Sequence, residues 1–524
     1  MRKPFSRRGA LLLSLCALNS VAQADVKLPS LFSSNMVLQR DKAVPVWGTA
    51  DPGESVTVKL GTSAPVQTTA DANGKWKVML VAQPVARAVT MSVTGKNALV
   101  LDNVAVGEVW VCSGQSNMGF SMGRLRNPEQ ELQAATNPDL HLFNAVRTAE
   151  LTPQDDIKGS WATSDPQSAK DFSAVAFFFG NELQRKLGVP VGLIHSSWGG
   201  TPAEAWTSRE ALAAVPELKQ RLDESDQRKA NYPAALEKYE KETLPAWQTA
   251  VDEAKAAGKA APGKPGAPVK PTDQNHATNL FNGMIAPLIP YGIKGAIWYQ
   301  GESNSPRPIQ YRTLFPTLIR DWRSRFGQGD FPFYWVQLAN YQAVQTQPAE
   351  PRGSNTPGGR NGWPLLREAQ ALTLSLPNTG MATAIDLADA DNPGDIHPHN
   401  KQEVGKRLAL VALGKDYGQQ QPFEGPMFVS MSLEGAKARL KFKGISGGLK
   451  SRGEKLQGFA VKSEGGEWAW ADATIEGDTV VVSSAGGTVP VAVRYAWASN
   501  PIGNLANGAG LPAIPFRTDT TSVE

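Results

Sequence analysis

Ser116 stands where a chain can present a nucleophilic hydroxyl. The run Gly107-Glu108-Val109-Trp110-Val111-Cys112-Ser113-Gly114-Gln115-Ser116-Asn117-Met118 is an apolar, strand-like stretch that ends at a glycine, with a serine two residues later. The strand fixes the backbone, Gly114 permits a tight turn, and Ser116 is left exposed where the chain leaves the sheet. A serine hydroxyl is a weak nucleophile until a base takes its proton. The base must come from five histidines: His141, His195, His276, His397 and His399. His397 lies in Asp395-Ile396-His397-Pro398-His399, where an adjacent carboxylate can hold the imidazole tautomer; His399 competes with it. The same two histidines, near Asp386, Asp389 and Asp391, form an alternative metal pair. The stretch Asp389-Ala390-Asp391-Asn392-Pro393-Gly394 partly resembles a calcium loop, but Pro393 occupies a ligand position and no glutamate closes it. His195 follows an apolar strand and reads as a hydrogen-bonded core residue.

Acyl transfer also needs donors for the oxyanion. Gly199-Gly200-Thr201 offers backbone N–H groups without side-chain obstruction, and Gln300 can donate from its amide. The plainer readings are an ordinary turn for Gly199-Gly200 and a solvated loop for Gln300-Gly301-Glu302. Cys112 reads as core packing.

The elements that must position these residues follow from the patterning. From about residue 106, apolar strand candidates (Val106–Cys112, Gly192–His195, Gly295–Tyr299, Phe333–Gln337, Met381–Ile385) alternate with helix candidates near Phe177–Leu187, Tyr311–Arg325 and Asn400–Leu413. That alternation predicts an α/β fold with a parallel, doubly wound sheet. Ligands sit beyond the carboxyl ends of such strands, which is where Ser116, Gly199-Gly200 and Gln300-Gly301-Glu302 fall. Residues 25–105 read as an N-terminal β-sandwich module of short alternating strands parted by Asp51-Pro52-Gly53 and Asp71-Ala72-Asn73-Gly74. Residues 419–524 read as a second β-sandwich-like module, a structural cap or a carbohydrate-binding one. Within the α/β segment 106–418, residues 209–278 read as a charged helical excursion with a flexible Ala/Gly/Lys/Pro-rich loop, a lid or a spacer.

Four ordered blocks resemble the sialate O-acetylesterase branch of the SGNH hydrolases: Gly114-Gln115-Ser116-Asn117-Met118, Trp198-Gly199-Gly200-Thr201-Pro202, Trp298-Tyr299-Gln300-Gly301-Glu302-Ser303-Asn304 and Asp395-Ile396-His397-Pro398. The likeness extends through Leu366–Gln370, Pro377–Met381 and Arg494–Trp497. It implies a flavodoxin-like SGNH domain that hydrolyses O-acetyl groups on sugars, with no cofactor. Carried over by position, Ser116 is the nucleophile, His397 the base, and Ser116 N–H, Gly200 and Gln300 the oxyanion donors. The acid is either Asp395, only two residues before His397, or Glu302 of the third block. Arg307, Arg367 and Arg407 are candidates to hold a sialic acid carboxylate, whereas the tryptophan content suits neutral sugars such as acetylated xylan.

Composition bounds the remaining possibilities. The 524 residues are 41% hydrophobic and 19% charged, which leaves room for two or three globular domains. Residues 1–24 read as a signal peptide, with Arg2, Lys3, Arg7 and Arg8 ahead of an apolar run and Ala22-Gln23-Ala24 as cleavage site. That predicts a periplasmic or extracellular protein. The formal charge of +4 resides in that segment, so the mature chain is neutral and shows no preference for nucleic acid or anionic membrane. No segment is long and apolar enough for a membrane span. The expected partner is an O-acetylated sugar or glycan; the sequence sets no oligomeric state. A non-catalytic sugar-binding protein is the reading from another class.

Overall fold

A computed structural model describes residues 25–349 and 362–519; the proposed signal peptide lies outside the described residues. The site is carried by a mixed sheet whose strands are β1 Ala98–Gly114, β2 Asn137–Asn144, β3 Trp161–Ser164, β4 Val191–Ser197, β5 Gly295–Tyr299, β6 Phe333–Gln337 and β7 Thr379–Thr383. Their spatial order is β7-β6-β5-β1-β4-β2-β3, parallel throughout except for the antiparallel edge strand β3. Strands β4, β5 and β6 are buried along their whole length, and β1 from Val104 onward, because helices cover both faces there. Tyr334 and Trp335 are neighbours on β6 and point to opposite sides. Tyr334 stacks with Trp110 and Trp335 meets Phe315.

Phe315 belongs to α2, Pro308–Phe326, which packs with α3, Gly362–Leu372, on one face. On the other face, α1 Ala174–Leu187 packs with α4 Lys401–Lys415. The Ser173 hydroxyl caps α1 by accepting from Ala176 N–H at 3.1 Å. Gly405 lets α4 close on α1, since a Cβ there would lie 2.6 Å from Phe178 Cβ. The doubly wound character expected from the alternation is present. Numbered along the chain, β1, β4, β5, β6 and β7, the five strands expected from the sequence, lie in the order 2-1-3-4-5, the order of a flavodoxin-like sheet; β2 and β3, which were not expected, are added at the edge beyond β4. After the turn at Ser116 the chain skips the place beside β1, and β4 fills it.

Strand β1 is also the junction with the N-terminal module. Its first half pairs antiparallel with Ala86–Thr94, its middle pairs with Val37–Gln39, and its last residues pair with β4 and β5. The boundary expected at 105/106 therefore falls inside one continuous strand. The module adds Ser55–Leu60 and Val66–Thr69 to the first sheet, with Val44–Thr49 and Lys75–Leu80 as a second ladder. Val56, Val58, Val46 and Val78 bury the space between them.

The C-terminal module corrects the expected sandwich. Seven antiparallel strands form a single sheet, from Met427–Glu434 at one edge to Phe516–Arg517 at the other. The sheet curls until its edges approach, with Phe428 stacked on Phe516 at 4.5 Å and 7°. Leu440, Val480, Val482 and Val493 fill the interior. The module is tied to α3 by Arg367, whose fully buried guanidinium donates to the carbonyls of Leu338, Ala339, Ala498 and Ser499.

The excursion at 209–278 contains helices Arg209–Ala213, Pro216–Lys238 and Leu244–Ala256. The proline-rich stretch folds back onto them: Tyr239 and Trp247 donate to the carbonyls of Pro265 and Pro262. Among the described residues no helix is long and apolar enough to cross a membrane.

Candidate active site

Gly114 ends β1 with φ +137°, and a Cβ there would sit 2.2 Å from the Tyr299 carbonyl oxygen. The chain therefore turns hard against β5 at this residue. Hydrogen bonds pin the turn on both sides: Gln115 N–H donates to Tyr299 O at 2.9 Å, and Trp198 N–H donates to Gly114 O at 3.1 Å. Ser116 emerges partly exposed between the buried Gln115 and Asn117. Gly199 keeps the adjacent wall clear, since its Cβ would lie 3.2 Å from Ser116 Cβ.

The distant histidine loop meets this turn. His397 Nε2 lies 2.9 Å from Ser116 Oγ, across 281 residues of sequence. Its Nδ1 faces Asp395 Oδ1 at 3.3 Å, and the same oxygen accepts from His397 N–H at 2.9 Å. With the proton on Nδ1, Nε2 offers its lone pair to the serine. Burial lowers the His397 pKa, Asp395 opposes that, and the positive charges of Lys401 and Arg124 reinforce it. The imidazole is thus held neutral, the form a base requires.

Of the two carboxylates left open by the sequence, Asp395 faces the imidazole and Glu302 does not. Glu302 is buried, its Oε1 accepts from Asn117 Nδ2 at 2.6 Å, and burial raises its pKa. Nor is Gln300-Gly301-Glu302 a solvated loop, since Gln300 is fully buried. The Gln300 amide donates to Thr201 O at 3.2 Å and to Asn304 Oδ1 at 2.6 Å, and its oxygen accepts from Tyr311 at 2.9 Å. Both amide hydrogens are committed, which corrects its expected place as an oxyanion donor: it props the backbone after Gly200 instead. The N–H groups of Ser116 and Gly200 make no hydrogen bond among the described residues. Gly200 has φ +72° and open space at its Cβ position.

The other histidines are engaged elsewhere. His195 lies between Asn144 Oδ1 and Ser197 Oγ, both at 2.7 Å, and burial brings its pKa down to about 3. His399 pairs with Asp389 at 2.5 Å. His397 and His399 thus serve different partners, and no group of three or more His, Cys, Asp or Glu among the described residues is arranged to hold a metal. Cys112 is buried and its thiol is pushed up by burial, as suits core packing.

The three arginines proposed for a sialic acid carboxylate are occupied. Arg307 pairs with Glu204 at 2.8 Å, Arg407 with Asp386 at 2.7 Å, and Arg367 lies in the carbonyl cage described above. Two others, missed in the sequence, stand at the rim. Arg124 is exposed over the Phe120 ring at 4.5 Å and makes no ion pair among the described residues. Arg147 is exposed and donates to Ser197 O at 3.3 Å, with its Nη2 3.5 Å from the Cβ position of Gly119. Lys401 was also missed. Its signal was a lysine opening a helix, against the macrodipole.

Comparison with known proteins gives the family. The profile of the family described as carbohydrate esterase, sialic acid-specific acetylesterase matches residues 274–414. The sialate O-acetylesterase of Mus musculus is 30% identical, covering 97% of this chain and 97% of its own length. That of Homo sapiens is 30% identical, covering 94% and 92%. Among solved structures, a carbohydrate acetylesterase from Xanthomonas citri superposes with a TM-score of 0.78 at 34% identity, covering 94% of this chain and 100% of that one. The chain is therefore an ester hydrolase and belongs to the sialate O-acetylesterase family.

Proposed function

We propose that this protein removes O-acetyl groups from sugars through an acetyl-Ser116 intermediate. The observation that carries the reading is the 2.9 Å approach of His397 Nε2 to Ser116 Oγ, with Asp395 on the opposite ring nitrogen. Ser116 Oγ attacks the acetyl carbonyl as His397 takes its proton. The tetrahedral oxyanion rests on the N–H groups of Ser116 and Gly200. His397 returns the proton to the sugar oxygen as that bond breaks. Water, deprotonated by the same imidazole, then cleaves acetyl-Ser116 to acetate. Each oxyanion donor is worth about 3–4 kcal/mol of barrier. Ser116→Ala should lower kcat on an aryl acetate by about 10⁴-fold or more; near-normal turnover contradicts the reading.

For the sugar, the two rim arginines favour an anionic substrate, an O-acetyl sialic acid whose carboxylate meets Arg124 or Arg147. A second observation favours a neutral acetylated polysaccharide such as xylan. A cleft beside His399 is lined by Asp389, Asp391, Asn127 and Gln402, a hydroxyl-binding surface without spare positive charge. The half-buried Trp198 next to Gly199 offers either sugar a stacking face. Acetate release from O-acetyl sialic acid and from acetylated xylo-oligosaccharide, measured side by side for the parent protein and for Arg124→Ala with Arg147→Ala, separates the two. Selective loss on the sialic acid supports the anionic reading; faster release from the xylo-oligosaccharide, with the rates on both substrates unchanged by the substitutions, supports the other. We also assign residues 1–24 to export, with the SGNH-type hydrolase segment and its flanking β modules acting outside the cytoplasm.

A further inference from the structure

Lys401 opens α4 with its side chain fully buried, where the helix N-terminus repels a cation. Its Nζ donates to Asn117 Oδ1 at 2.6 Å and lies 5.0 Å and 5.4 Å from the ring centres of Phe120 and Tyr299. Asn117 passes on its own amide hydrogens, one to Glu302 Oε1 at 2.6 Å and one to Ile396 O at 3.0 Å. A single amide therefore joins the residue after the nucleophile to the residue before the base. Burial brings the Lys401 pKa down to about 7; below that pH it is an ammonium, which only donates, so Lys401 dictates which way that amide faces. Turned over, Asn117 would set its N–H₂ group against the ammonium and lose both outgoing bonds. Glu302 supplies the opposing charge, and its Oε2 is buried with no hydrogen-bond partner among the described residues.

We propose that Lys401 is a positioning residue of the esterase site: it fixes the Asn117 amide that clasps the Ser116 turn to the His397 loop. The inference rests on the Ser116–His397 reading above. Its charge has a second consequence. The groups facing Lys401 are Glu302 after β5, Asp389 and Asp395 on the loop before α4, and Arg124 from the turn after Ser116; those facing His397 are Asp395, Lys401 and Arg124. Removing the ammonium removes one of two positive charges that disfavour the imidazolium, so the protonated imidazole becomes easier to form.

The test compares Lys401→Met, Glu302→Gln and the double variant with the parent and with Ser116→Ala, following aryl acetate hydrolysis against pH and thermal unfolding. Lys401→Met should lower kcat by about 10²-fold through misplacement of the base, with KM nearly unchanged. The acid limb of kcat/KM should move to higher pH. The double variant should recover the thermal stability that Lys401→Met loses, since no buried carboxylate is then left unpaired, but not its kcat. A Lys401→Met enzyme with parental kcat and a superimposable pH profile overturns the proposal. So does a double variant whose kcat returns together with its stability, and this comparison stands alone if Lys401→Met fails to fold. Activity surviving in Ser116→Ala sinks the underlying reading; an inactive Ser116→Ala beside an unaltered Lys401→Met sinks only the inference about Lys401.

Discussion

Ser116 acquires its reactivity from one imidazole, and that imidazole from its surroundings. Burial, Lys401 and Arg124 hold His397 below the ordinary histidine value of 6.5, while Asp395 pulls the other way. Activity requires the neutral ring, so kcat/KM rises as pH rises through the His397 pKa. The acid limb is therefore expected below that of a free histidine, and a pH–rate profile of the parent enzyme checks it. The acid can be tested separately. Asp395→Asn should cost about 10²–10⁴-fold in kcat, through loss of the correct tautomer, whereas Glu302→Gln should leave the tautomer intact and cost far less. Ser116 and His397 were legible because each announces itself locally, one at a strand-ending glycine, the other beside a carboxylate. What Gln300, Glu302 and the arginines do was not. Their partners, Thr201, Asn117, Glu204 and the carbonyls of Ala498 and Ser499, lie far away in sequence, and only the fold brings them near.

The turn at the end of β1 is the element on which the site depends. Gly114→Ala would place a methyl group on the Tyr299 carbonyl in a backbone conformation that alanine rarely adopts. A stability loss of about 3 kcal/mol or more is expected, measured by denaturant unfolding, with activity falling in the fraction that remains folded. The alternation of strands and helices was readable because fully buried parallel strands are apolar along their length. The added edge strands β2 and β3 were not. Nothing in the sequence between Ser116 and Asn137 says that the chain will pass over the neighbouring position and leave it for β4. The curling of the C-terminal sheet was hidden for a similar reason: alternating strands look alike whether they form two sheets or one closed on itself, and only the stacking of Phe428 on Phe516 distinguishes them.

Across the whole molecule, the β modules are built into the hydrolase rather than strung beside it. The N-terminal module shares β1 with the central sheet, and the C-terminal module hangs on Arg367. Arg367→Met would take the guanidinium donor from four backbone carbonyls in a buried contact, of which Ala339 O and Ser499 O keep Trp363 and Tyr341 as donors. We expect about 3 kcal/mol or more of destabilisation, seen as a lower Tm of the full-length protein, with little change in the KM of what stays folded. The proposed signal peptide makes its own prediction: N-terminal sequencing of the exported protein should begin at Asp25, and retention of residues 1–24 would contradict the assignment.

The account's central claim is that Ser116 and His397 act as one pair on an acetyl ester. Acid-quenching the enzyme during turnover of an aryl acetate, followed by mass spectrometry of its peptides, tests this most directly. One acetyl group on the peptide that contains Ser116, absent when His397 is replaced by alanine, is the predicted result. Full turnover with that peptide unmodified, or with acetyl accumulating on another residue, would contradict it.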